Sequence, residues 1–280
     1  AWTTVGILSL TYMFSYMDRQ ILILLIDPIK TDLQITDTQV SLLTGFAFAI
    51  VYTIAGIPMG RIADLWVRKY VIIFGVTVWS LLTIACGFAR NFSQLFLARM
   101  GVGLGEAALT PTAYAMIPDL FPPNKLARGM SIFVLGGAIG GAMALLIGGV
   151  IIGVTAKIGT TTVPFIGEIR SWQWVLIAVG AMSLLMVIPL SLMREPKRHK
   201  IPNKLTVLEN QSANTDSKAF KQVLKYLWQH KSFYGPFIIG SAIYNLFIYG
   251  SSAWFPSYFI RIHHWGAAYT GITLGILTIV

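Results

Sequence analysis

Apolar runs of near-constant length dominate this chain. They cover approximately Thr3–Ile26, Val40–Pro58, Tyr70–Ala89, Phe92–Ile117, Met130–Thr155, Trp172–Met193 and Phe233–Ile260, with an incomplete eighth from Gly266. Each full run approaches the roughly 20 residues that an α-helix needs to cross a bilayer. A transmembrane barrel would instead alternate polar and apolar residues over strands of about 10. Charged residues make up only 11% of the sequence, against about 25% in soluble domains. The chain is therefore expected to be an all-α, multi-pass integral membrane protein. The eighth run stops short of a full crossing, so the chain reads as part of a longer protein.

The basic residues predict its orientation. Fourteen Lys and Arg fall in one set of alternate loops and five in the other, Arg19 and Arg99 completing the 21. Loops rich in Lys and Arg stay in the cytoplasm, which puts the N-terminus inside. The net charge of +10 is then a matter of topology, and nucleic-acid binding is not expected. From Arg194 to Ser232 the composition turns polar and basic, with a flexible middle at Gln211–Ser217. The organisation expected is a six-helix bundle over 1–193, a cytoplasmic linker over 194–232, and the start of a second bundle over 233–280. Near the linker's end Phe220, Val223, Leu224, Leu227 and Trp228 recur at helical spacing, as in an amphipathic helix lying on the membrane face.

Local signals are fewer. Asp37 or Thr38 is expected to cap the second helix, and Phe121-Pro122-Pro123 to enforce an extended break before the fifth. Trp172, Trp174 and Trp265 read as interfacial anchors. Cys86, the single cysteine, excludes an internal disulfide and reads as packing. No metal cluster or cofactor motif is present, and no Gly-x-x-x-x-Gly-Lys-Ser/Thr loop for ATP.

Charges inside the apolar runs carry the chemistry, since each costs roughly 2.5–3.5 kcal/mol to insert. Asp18 and Arg19 sit in the first run, Arg99 and Glu106 in the fourth. Arg99 and Glu106 lie two helical turns apart, about 10 Å along the axis, on one face. They line a stripe without pairing. Two acids and two bases cancel, which suits a site that must close dry.

The loop after the second run, Gly60-Arg61-Ile62-Ala63-Asp64-Leu65-Trp66-Val67-Arg68-Lys69, resembles the major facilitator superfamily signature Gly-x-Leu-Ala-Asp-Arg-x-Gly-Arg-Arg/Lys. Gly60, Ala63, Asp64, Arg68 and Lys69 match; Leu65 and Val67 depart from it. Gly60 would let the helix end approach a neighbour closely, and Asp64 could accept from a helix N-terminus. The resemblance implies a gating role for Gly60, Asp64 and Arg68. Arg99 followed by Gly101, Gly103 and Gly105 is similar to the family's fourth-helix motif. Gly136-Gly137-Ala138-Ile139-Gly140-Gly141 is similar to its fifth-helix motif, without the usual Pro, and predicts close helix packing.

Within the superfamily, Tyr16-Met17-Asp18-Arg19 with Arg99 and Glu106 looks most like the spinster-type lipid transporters. That resemblance implies the first seven to eight of twelve helices, alternating access, and a monomer in a bacterial inner membrane. It also implies proton coupling and an amphipathic anionic substrate, such as a lysophospholipid or sphingoid phosphate. Small organic anions or sugar acids are the alternative that the Asp-Arg pair allows. Asp18 and Glu106 are the expected proton carriers. Arg19 and Arg99 are the expected anion ligands, with Tyr12 on the first helix and Asn245 and Tyr249 on the seventh. Gly250–Ser252 and Pro256 predict a weakened, discontinuous seventh helix. A channel or an intramembrane enzyme is the other class, but no Ser/His or His/Glu cluster falls in a span.

Overall fold

The computed structural model describes residues 1–158, 161–163, 167–196, 198 and 225–279. Residues 199–224 of the expected linker lie outside that set, and with them Phe220, Val223 and Leu224 of its amphipathic helix. The chain forms two compact units, Ala1–Lys197 with Ala253–Val280, and Arg198–Ser252.

Eight helical runs follow the apolar runs among the described residues. They are α1 (Trp2–Leu24) with α2 (Ile26–Leu33); α3 (Asp37–Ser41), a π-turn and α4 (Ala47–Leu65); α5 (Arg68–Cys86); α6 (Phe92–Glu106) with α7 (Leu109–Met116); α8 (Pro123–Ile158); α9 (Ser171–Leu185) with α10 (Val187–Leu192); α11 (Lys231–Ile262); and α12 (Ala267–Ile279). Among the described residues four stretches are long and apolar enough to cross a membrane: Asp37–Leu65, Arg68–Cys86, Pro123–Val154 and Ser171–Leu192. The first and fourth runs carry the intramembrane charges and are interrupted.

The interruptions have one cause. Breaks at Leu25, at Ala107–Ala108 and at Met186 fall three or four residues before Pro28, Pro111 and Pro189. Proline has no N–H for the carbonyl four residues back and its ring crowds that carbonyl. At each break the backbone tightens to an i→i−3 bond: Leu25 to Leu22 at 3.0 Å, Ala108 to Gly105 at 3.3 Å, Met186 to Ser183 at 3.1 Å. Pro58 lies inside α4 without ending it, and α11 likewise runs unbroken through Gly250–Ser252 and Pro256. The expected discontinuity of the seventh helix is thus not found; the missing N–H groups of Pro236 and Pro256 are tolerated within a 32-residue helix.

Two local expectations are also corrected. The second run is capped by Thr36, whose hydroxyl accepts from Gln39 N at 3.3 Å while Gln39 Oε1 accepts from Thr36 N at 2.9 Å. That reciprocal capping box leaves Asp37 as the first helical residue. Pro123 is not in the break before α8 but begins the helix, where its lost N–H costs nothing. Between α8 and α9, strands Thr161–Val163 and Gly167–Ile169 pair antiparallel.

Glycines decide how closely the helices pack. A Cβ on Gly136 or Gly140 of α8 would strike the carbonyls of Ser9 and Met13 in α1, and Ser9 Oγ donates to Ile132 O at 2.7 Å. On α6, a Cβ at Gly105 would lie 2.7 Å from Trp79 N of α5, and one at Gly103 2.8 Å from Phe48 O of α4. A Cβ on Gly271 of α12 would lie 2.7 Å from Leu145 O and 2.9 Å from Gly149 Cα of α8. In lipid such contacts gain van der Waals energy without a hydrophobic drive between helices.

The second unit holds helical residues 225–229 and α11 up to Ser252. There the Tyr226 and His230 rings lie 4.3 Å apart and Lys231 Nζ sits 5.2 Å from the Trp228 ring centre.

Candidate functional site

Close packing of α6 on α4 and α5 brings the four intramembrane charges together, in a pattern adjacency in the sequence hides. Successive helical residues point about 100° apart, so Asp18 and Arg19 turn to different neighbours. Asp18 faces α5 and α6: Thr83 Oγ1 donates to its Oδ2, and its Oδ1 lies 3.6 Å from Arg99 Nη1. Arg19 reaches the end of α6, where its Nε donates to Glu106 Oε2 at 2.6 Å. Ser15 Oγ donates to the same oxygen at 2.6 Å. The ion pairs therefore cross between helices, Asp18 with Arg99 and Glu106 with Arg19.

One aromatic residue lies beside both cations. The Phe48 ring centre is 4.6 Å from Arg19 Cζ and 5.7 Å from Arg99 Cζ. Tyr52, one turn on, stacks on Phe48 at 5.3 Å, sits 4.5 Å from Arg19 Cζ and donates to Thr110 Oγ1 at 3.2 Å. Tyr16 adds a third ring at 5.6 Å from Arg19. A guanidinium over ring faces keeps its charge while shedding water.

Access differs sharply within the cluster. Arg19 has 22% of its side chain exposed and Glu106 none; Arg99 has 1% and Asp18 none. Arg99 Nε and Nη1, Asp18 Oδ1 and Glu106 Oε1 are buried without hydrogen-bond partners in the structure. Such groups cost free energy until matched; for Asp18 Oδ1 and Arg99 Nη1 the 3.6 Å ion pair offsets part of that cost. Cys86 is fully buried, one turn beyond Thr83.

The other expected residues are placed as follows. Tyr12 stacks on Phe133 at 4.7 Å and meets Tyr16 at 5.6 Å, one ring removed from Arg19. Asn245 and Tyr249 lie in the second unit, where Asn245 Nδ2 donates to Ser241 O at 2.7 Å. Thr83, Ser15, Phe48 and Tyr52 were not singled out by the sequence. Ser15 could have been, four residues before Arg19, as could Phe48 and Tyr52 at the i, i+4 spacing of one helix face.

At one end of the helices Arg68 is a buried hub. Its Nη1 donates to Asp119 Oδ2 at 2.6 Å and Ala115 O at 2.7 Å, its Nε to Glu195 Oε1 at 3.0 Å and its Nη2 to Pro196 O at 3.2 Å. Glu195 Oε2 also accepts from Lys69 N at 2.9 Å, a carboxylate at the N-terminus of α5. Gly60 is not tightly packed: a Cβ there would meet only Pro111 Cβ, at 3.8 Å. The expected close approach that only a glycine would permit is thus not observed: a methyl group there would make ordinary van der Waals contact with α7.

At the opposite end Arg261 of α11 binds Asp27 at 2.8 Å and Asp37 at 3.0 Å, and Lys30 joins Asp37 at 2.9 Å. Asp32 pairs with Arg170 and accepts from Trp172 Nε1 at 2.7 Å. Trp172, only 3% exposed, is a buried donor and not an interfacial anchor. A cavity of about 600 Å³ at this end is lined by Asp27, Asp32 and Arg170 among others and shares no residue with the crossed pairs.

Helices long and apolar enough to cross a membrane thus accompany a buried, charge-balanced cluster. The profile of the Major Facilitator Superfamily matches residues 8–280, and the chain belongs to that family. It is similar to the crystal structure of a bacterial homologue of the human lysosomal transporter Spinster in an inward-facing, unoccupied conformation, at 30% identity and a TM-score of 0.80, over 98% of this chain and 59% of that one. An MFS-type efflux pump of Mycolicibacterium smegmatis is 26% identical over 99% of this chain and 59% of its own length. A probable L-galactonate transporter of Escherichia coli is 25% identical over 98% of this chain and 57% of its own. The chain thus spans just under three fifths of each of these proteins.

Proposed function

We propose that the full-length protein is a proton-coupled, alternating-access transporter of an amphipathic anion such as a lysophospholipid or sphingoid phosphate. The observation that carries this is the crossed pairing of Arg19 with Glu106 beside Asp18 with Arg99. A proton on Glu106 removes the counter-charge of Arg19 and frees that cation for a phosphate or carboxylate. Deprotonation returns Glu106 to Arg19 and expels the anion. Asp18 does the same for Arg99 more deeply, with Thr83 holding the carboxylate. The three rings around Arg19 extend the apolar surface toward a lipid tail. Similarity to a Spinster homologue supports this reading.

Similarity to a probable L-galactonate transporter supports a second cargo, a small sugar acid, at the same cation. In either case the N-terminus is cytoplasmic, the Arg68 end faces the cytoplasm, and Gly60, Asp64 and Arg68 belong to the gate on that side. Residues 1–193 form the first bundle, 194–232 the linker and 233–280 the start of the second, in a monomer of a bacterial inner membrane.

The test is flux into liposomes holding the full-length protein, comparing labelled lysophospholipid with labelled sugar acid, with and without a pH gradient. Gradient-dependent lysolipid movement is expected. Gradient-driven sugar-acid movement alone would establish the second cargo; flux of either that ignores the gradient would remove proton coupling.

A further inference from the structure

The crossed pairs differ in access, and the difference limits how much negative charge the site can take. Asp18, Arg19, Arg99 and Glu106 cancel in formal charge. Inside a low-dielectric bundle an uncompensated charge costs several kcal/mol, so substrate charge and added protons must balance. Only the Arg19–Glu106 pair reaches accessible surface, through the 22% of Arg19 that is exposed. Arg99 is 1% exposed, lies against Asp18, and has Phe48 beside it. One proton on Glu106 thus frees one cation, and a second requires opening the sealed pair.

We propose that Arg19 restricts this site to substrates bearing a single negative charge, a phosphodiester or a monocarboxylate, and selects against phosphomonoester dianions and dicarboxylates. The inference rests on the anion-carrier reading and narrows it: of the lipids named there it keeps phosphodiester lysophospholipids and drops sphingoid phosphates, and it leaves Arg99 with Asp18 while the anion is bound. The groups facing the exchange are Ser15, Tyr16 and Arg19 from α1 and Phe48 and Tyr52 from α4; Thr83 and Cys86 of α5 face the sealed pair. Of the two buried carboxylates, only Glu106 gives up a cation at accessible surface. Tyr16 and Tyr52 offer ring faces, and Tyr52 spends its hydroxyl hydrogen on Thr110.

The experiment measures binding to the purified full-length protein at pH 7.5 for two matched pairs. One pair is lysophosphatidylglycerol against lysophosphatidic acid of the same acyl chain; the other is an aldonate against the aldarate of the same sugar. In each pair the singly charged member is expected to bind about tenfold tighter or more. The lipid and sugar arms also tell which source of the anion the site takes. A variant carrying both Asp18→Asn and Glu106→Gln leaves two cations uncompensated, and its preference should move toward the doubly charged member. Equal or tighter binding of the doubly charged members to the unaltered protein overturns the inference and leaves the anion carrier standing. Failure of all four ligands to bind overturns both. Because the unaltered protein decides the outcome, misfolding of the double variant does not.

Discussion

Asp18 Oδ1 lies 3.6 Å from Arg99 Nη1 across two helices, while Arg19, the next residue along the chain, gives its guanidinium to Glu106. Neighbours in sequence thus pair with residues two turns apart on one helix, α6. Removing one member of such a buried pair strands the other. Arg99→Met is expected to destabilise the bundle by about 3–5 kcal/mol, read as a lower thermal midpoint in detergent. Adding Asp18→Asn should recover part of the loss; a double variant no more stable than Arg99→Met would show that the two charges are not coupled.

The two glycines at Gly60 and Gly105 should behave oppositely. Gly105→Ala drives a methyl into Trp79 N, 2.7 Å away, and is expected to cost about 1–3 kcal/mol. Gly60→Ala meets nothing nearer than 3.8 Å and should leave the midpoint unchanged or slightly raised, since Ala favours the helix. Thermal melts of both variants side by side make the comparison.

Arg68 is held by four acceptors on two segments, an arrangement that a single ammonium cannot reproduce. Arg68→Lys should therefore lose about 2–4 kcal/mol. Arg170, 43% exposed beside Asp32, is the contrasting case: Arg170→Ala is expected to cost no more than about 1 kcal/mol. Similar losses for the two would mean that the Arg68 network is not a unit.

Thr83 should matter through its hydroxyl and not its volume. It donates to Asp18 Oδ2 from a fully buried position, so Thr83→Val leaves that carboxylate oxygen without its donor, at about 1–3 kcal/mol. Thr83→Ser keeps the donor and should retain more stability than Val despite the smaller side chain. Melts in which Val outperforms Ser would mean that packing around position 83 outweighs the hydrogen bond.

The helices and their charges are legible because a run of apolar residues, and a charge inside it, are properties of one segment. Asp18, Arg19, Arg99 and Glu106 can be identified that way, and so can the glycines of α8 that admit α1. Which charge meets which cannot, because that depends on the rotation of three helices about their axes. Thr83 is hidden for the same reason: one hydroxyl in an apolar run looks like packing until α5 turns it toward Asp18. Asp37 looks like the cap of the second helix because the Thr36–Gln39 pair that displaces it is recognisable only as a unit.

Proline placement divides the bundle into stiff and compliant members. The joins at Leu25, Ala107–Ala108 and Met186 already lack a hydrogen bond that bending would otherwise have to break. By contrast α5 contains no proline, and α8 carries one only at its first residue. Those two helices act as struts, and the first, fourth and sixth as jointed rods. Elastic deformation concentrated at the joints would let one half of a rod tilt while the other keeps its contacts, so the crossed pairs could change their surroundings without the whole bundle repacking.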